Sequence, residues 1–176
     1  MNKKGQAAME YLMTYGWALL VIVIVIAILV LLNLKPPQQC LFDDSSIRCD
    51  TPLPVVSGTG IATGQLYATI KNEKASTIAV YGVSCTNDKV APGVAGSTVA
   101  IPAKAGSGLF SIPANGQVDL TTAAPYSFNC AKIVGTGAIN KGDIYQGKIY
   151  IFFADGSDPA TFPLRTATAT VVAQVS

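Results

Sequence analysis

Polar and apolar positions along this chain follow two different rhythms, and the change falls near residue 36. From Ala18 to Leu32 the stretch ALLVIVIVIAILVLL is apolar without a break, and extending it back to Tyr11 adds only Thr14 and Gly16 as interruptions. A helix needs about 20 apolar residues to cross a bilayer, so Tyr11 to Leu32 is long enough. Valine and isoleucine dominate its middle, yet helix is the only way a single segment in lipid satisfies every backbone group. The expected element is one helix over residues 6 to about 34, roughly 44 Å long at ~1.5 Å per residue. Its stop is Lys35, which precedes Pro36 and Pro37, because a residue before proline is pushed out of the helical region.

Beyond Pro37 the period becomes two. Residues 65–72, 76–85, 96–101, 107–112, 116–122, 126–133, 147–155 and 160–175 read as short strands between Gly, Pro, Asn, Asp and Ser punctuation. Seven or eight strands at this spacing predict a β-sandwich with Greek-key connections, Ig-like in outline. Within it, IYIFFADGSDPATF predicts a hairpin turning at DGSDP, and TATATVVAQV predicts a half-exposed final strand. The expected class is therefore α+β, a long N-terminal hydrophobic helix followed by an all-β head over residues 36–176.

Composition narrows the chemistry. Hydrophobic residues make up 50% of the 176 and charged residues only 12%, a low charged share that the N-terminal run explains locally. The net charge of +2 comes with no basic stripe after Pro36, so nucleic-acid binding has no support. There is no histidine, and Cys40, Cys49, Cys85 and Cys130 form no C-x-x-C pair, which argues against a metal site. An exported domain with two disulfides fits better. Of the three possible pairings, Cys40 with Cys49 closes a short loop and leaves Cys85 with Cys130 to join distant parts, and that pairing is expected. No Ser or Cys stands beside a plausible base, so no enzyme activity and no cofactor are expected. Asp43 and Asp44 read as a solvated pair, and GTGIATG (58–64) and GTGAINKG (135–142) read as loops, since neither fits a phosphate-binding pattern.

The stretch KKGQAAMEYL places Glu10 at the head of the apolar run. A charged residue costs at least ~2.5 kcal/mol at the centre of a membrane helix and less near the interface, so something should compensate. A cleaved secretory signal would leave a small-residue site after the run, but the run ends NLKPPQQC. KKGQAAMEYLMTYGWALLVIVIV resembles the class III signal peptide and N-terminal helix of archaeal type IV pilins. The resemblance is specific over residues 3 to about 25 and only architectural over the head.

That resemblance implies cleavage by a prepilin peptidase between Gly5 and Gln6, with Lys3 and Lys4 as the cytoplasmic flank. It divides the chain into residues 1–5 (cleaved signal), 6–35 (membrane span, then filament core) and 36–176 (extracellular head). Glu10 would become the fifth mature residue and meet the new α-amine of Gln6, on its own chain one turn away or, as the resemblance favours, on a neighbouring subunit, with Tyr11 and Leu12 beside it in the assembly region. Gly16 and Ala18 would permit close helix approach. The implied role is structural, a subunit of an archaeal type IV pilus or adhesion filament. Its lasting partners would be copies of itself. Its transient ones would be the peptidase, an assembly ATPase and a platform membrane protein, with the precursor in the cytoplasmic membrane and the filament on the cell surface. An archaellin would carry a GIGTLI-like stretch where this chain has AAMEYLMTYGWA. An archaellin-like or minor pilin subunit, or a monomeric anchored domain that binds a sugar or substrate, is the alternative. For Tyr11, Tyr15 and Trp17, an aromatic belt at the membrane interface is an equal expectation.

Overall fold

The computed structural model describes residues 3–31, 37–58, 63–120, 128–131, 138–159 and 161–176. They divide into two units, Met1–Pro36 and Pro37–Ser176. The described part of the first is a single helix, α1 (Lys3–Leu31), whose 29 residues contain no proline and, after Lys3 and Lys4 at its start, a single charged side chain, Glu10. The expected stop at Lys35 and Pro36 lies outside the described residues.

Among the described residues the second unit contains nine strands: β1 (Gln39–Phe42), β2 (Ile47–Ser57), β3 (Thr63–Asn72), β4 (Ile78–Thr86), β5 (Phe110–Ile112), β6 (Gln117–Leu120), β7 (Phe128–Ala131), β8 (Ile144–Asp155) and β9 (Arg165–Val175). All nine belong to one sheet, ordered β1-β9-β2-β3-β7-β4-β5, with β6 on β3 and β8 joining β4 to β9. Because β8 bonds to both, the ladder β9-β8-β4-β7-β3-β2 returns to β9 and the sheet curls closed. Two short parallel seams complete the ring. One pairs Cys85 with Cys130 and Thr86 with Ala131, the other Val55 with Gln174 and Val56 with Val175. Closure removes the long open edges that would otherwise invite pairing with other chains.

The core follows from the period-two pattern. Along β9, Ala167, Ala169, Val171, Ala173 and Val175 point inward and are buried, while Thr166, Thr170 and Gln174 are exposed. Small residues here face large ones across the ladder, Ala169 opposite Ile149 and Ala167 opposite Ile151, which fills the interior without crowding. Strand β8 is buried on both faces from Ile149 to Ala154. Ile149, Ile151 and Phe153 enter the main core; Tyr150 and Phe152 pack outside it with Val99 and Leu164. The continuous run IYIFFA is therefore a strand with no solvent face.

Several expectations are corrected. Residues 96–101 form no strand. They belong to a long connection, 87–109, that lies over the outer face of β8 and buries Val99. The hairpin at DGSDP is present, but β9 starts only at Arg165, opposite Phe153. Pro159 and Pro163 supply no N–H for a ladder, and Lys104 Nζ holds this loop by donating to Pro159 O at 2.8 Å and Phe162 O at 3.3 Å. Strands β1 and β2 were not expected at all. The β-rich head expected from the sequence is present, and its nine described strands form one sheet that curls on itself.

Candidate functional site: the N-terminal helix and the disulfide-bonded head

The helix carries its apolar residues all the way round rather than on one stripe, and none of the span Met9–Leu29 is buried. Met13 is 82% exposed, and Trp17, Leu19, Ile22 and Ile26 all exceed half exposure. An apolar surface on every side suits lipid or a bundle of other helices, and water is a poor solvent for it. A Cβ placed on Gly16 would meet nothing within 4 Å, so that face is open to close approach. Tyr11 and Tyr15, one turn apart, stack with ring centroids 4.5 Å apart.

Glu10 sits on the exposed surface of this helix. Its backbone carbonyl accepts a bond from Thr14 Oγ1 at 2.7 Å, which satisfies the threonine hydroxyl within the helix. Its carboxylate makes no ion pair among the described residues. Lys3, Lys4, Gly5 and Gln6 form the first helical turn, but their side chains, and that of Leu12, lie outside the described residues.

Comparison of the chain with protein-family models, with curated proteins and with solved structures found no match. The functional reading therefore rests on the residues and their geometry.

In the head, the two disulfides are Cys40–Cys49 and Cys85–Cys130, the pairing expected from the sequence. Cys85 and Cys130 are direct partners across the β4–β7 seam, with Cα atoms 4.3 Å apart, and both are buried. The Tyr145 hydroxyl lies 3.7 Å from Cys85 Sγ, and burial pushes that phenol well above its ordinary range. Cys40 and Cys49, half-buried, tie β1 to β2. Between them, Asp43 N–H donates to Thr168 O at 2.8 Å, and Asp44 Oδ1 accepts from Ser46 N–H at 2.8 Å. Bonding to Ser46 holds the Asp44 carboxyl below its ordinary value. These acids shape a turn, and no group of His, Cys, Asp or Glu able to hold a metal is found among the described residues.

Three polar arrangements escaped the sequence reading. Asp88 anchors the 87–109 connection, accepting from Val90 N–H at 3.0 Å, Thr98 N–H at 3.2 Å and Thr98 Oγ1 at 2.9 Å. Asn72, fully buried, donates from Nδ2 to Ser76 O, Ile112 O and Pro113 O at 2.8 to 3.1 Å and accepts from Lys74 N–H. Lys74 and Arg165 converge on Asp155 at 2.8 and 3.2 Å. Only an Asp or Asn placed near a turn hints at the first two, because both commonly bond backbone two residues on.

Proposed function

We propose that this chain is a pilin, a structural subunit of an archaeal type IV pilus or adhesion filament. It is inserted as a membrane precursor, cut between Gly5 and Gln6, and polymerised through its helix. The observation that carries the reading is a helix whose span Met9–Leu29 is apolar on every side with none of it buried, with one carboxylate, Glu10, near its start and KKGQ ahead of it. Removing Lys3 and Lys4 takes 12 basic and 10 acidic side chains to 10 and 10. That loss frees the helix from its positive-inside anchor and leaves a near-neutral subunit that packs beside its copies with little repulsion. The curled, disulfide-bonded sheet then forms the filament's outer surface, a pilin-like division between helix and β-rich head. Prepilin peptidase, assembly ATPase and platform protein are the transient partners in this reading, and no enzyme activity is assigned.

Two variants test it in the cells that make the protein. Gly5→Leu is expected to leave the precursor uncut. Glu10→Ala is expected to be cut normally yet to yield few or no filaments by electron microscopy. Normal filaments from Glu10→Ala would remove Glu10 from the assembly role, and an uncut yet functional surface protein would favour the anchored monomer.

A further inference from the structure

The chain enters the head at Pro37 and meets its first anchor two residues later, in the four-residue strand β1. Among the described residues that strand bonds only to β9 in the ladder, in the register Gln39↔Val172 to Phe42↔Ala169. Gln39 thus lies near the end of β9 that finishes at Val175. Tension between Pro37 and the chain's last residues would load the β1–β9 pairs one at a time, starting from Gln39. Hydrogen bonds loaded in sequence give way singly, and each contributes only about 1 kcal/mol net. The second residue of the strand, Cys40, is covalently joined to Cys49 of β2. Strand β2 is a stronger anchor, with seven register pairs to β3, its own seam to β9, and Ile47 and Val56 fully buried.

We propose that the Cys40–Cys49 bond is a mechanical stop: it carries tension from the helix past β1 and into β2, so that the head does not begin to unravel at its attachment point. The bond is also the more accessible of the two. Cys40 and Cys49 are half-buried, whereas Cys85 and Cys130 are 2% and 0% exposed. Thiol exchange depends on access to the sulfur, so a reductant reaches the stop before it reaches the bond in the core. A need for such a stop rests on the filament reading, but the load path itself is a property of the single chain.

The test is single-molecule force extension on the full chain in detergent, held by peptide tags at its two ends, oxidised and after mild reduction. Mass spectrometry confirms which bond is open. With only Cys40–Cys49 cut, an early step of roughly 30 Å is expected, the length of residues 37–46 drawn out at about 3.3 Å each, before the main unfolding event. The oxidised protein should lack that step, and Cys40→Ser/Cys49→Ser should reproduce it. Should the variant fail to fold, reduced wild-type protein supplies the same reading. An early step in the oxidised protein, or its absence when the bond is cut, would overturn the proposal. Either result is independent of whether filaments form.

Discussion

The hydroxyl of Thr98 donates to Asp88 Oδ2 at 2.9 Å, across ten residues of a connection that contains no strand. With the N–H groups of Val90 and Thr98 it makes Asp88 the pin of the segment lying over Tyr150 and Phe152. Bonding from Val90, then Thr98, holds the Asp88 carboxyl below its ordinary value of 3.8. The stabilisation is therefore complete above about pH 3.8 and is lost as the pH falls through the lower, folded-state value. Hydrogen exchange at Val90 and Thr98, corrected for intrinsic rates, should show protection falling with acid below that point. Asp88→Asn should flatten this dependence, and an unchanged profile in the variant would assign the pin elsewhere.

Asn72 joins the β3–β4 turn to the β5–β6 turn through three backbone carbonyls. Asn72→Ala leaves those carbonyls without their donor inside the protein, at a cost of about 1–3 kcal/mol. A lower urea midpoint with an unchanged slope, measured on the full chain in detergent, is the expected result.

Phe152 fills the outer cluster between β8 and the connection above it. Phe152→Ala should cost about 3–5 kcal/mol, the usual range for emptying a buried phenylalanine site. Gly82 belongs to the same layer, since a Cβ there would meet Pro102 Cγ at 2.9 Å and Phe152 Cδ2 at 3.4 Å. Gly82→Val should therefore loosen the connection, read as faster proteolysis within residues 87–109, while the inner core keeps its protection.

The two disulfides should differ in thermodynamic weight. In the chain-entropy account, the 45-residue separation of Cys85–Cys130 is worth about 4 kcal/mol, and the 9-residue separation of Cys40–Cys49 roughly 2.5 kcal/mol. Paired serine variants compared by urea unfolding should show the larger loss for the core bond. A larger loss at Cys40–Cys49 would mean that β1 contributes more to global stability than its four ladder pairs suggest.

How much of this was legible in the sequence depended on whether one local rule governed each segment. Strands β8 and β9 were readable because their burial is set by alternation and by a long apolar run. Strand β2 was not, because TPLP puts Pro52 and Pro54 in its middle, and proline reads as a break. The fold accommodates them where the β2–β3 register shifts between Asp50 and Val55. Residues 96–101 misled in the opposite sense. Their apolar alternation is real, but local bonds such as Gly93 N–H to Val99 O and Ser97 N–H to Val94 O replace a ladder, and Val99 serves as a lid on β8. Ring closure could not be read at all, since each parallel seam consists of two residue pairs brought together by the whole fold. At the helix, by contrast, composition alone marked the span, and the single carboxylate at Glu10 stood out against it.

The most direct test of the central claim is the N-terminal residue of the protein isolated from the cells that make it, read by intact mass and N-terminal peptide sequencing. A chain that starts at Gln6, with its helix retained and both disulfides formed, is the result expected of a processed filament subunit. A chain that still carries Lys3 and Lys4 would contradict that account and leave an anchored surface domain in its place.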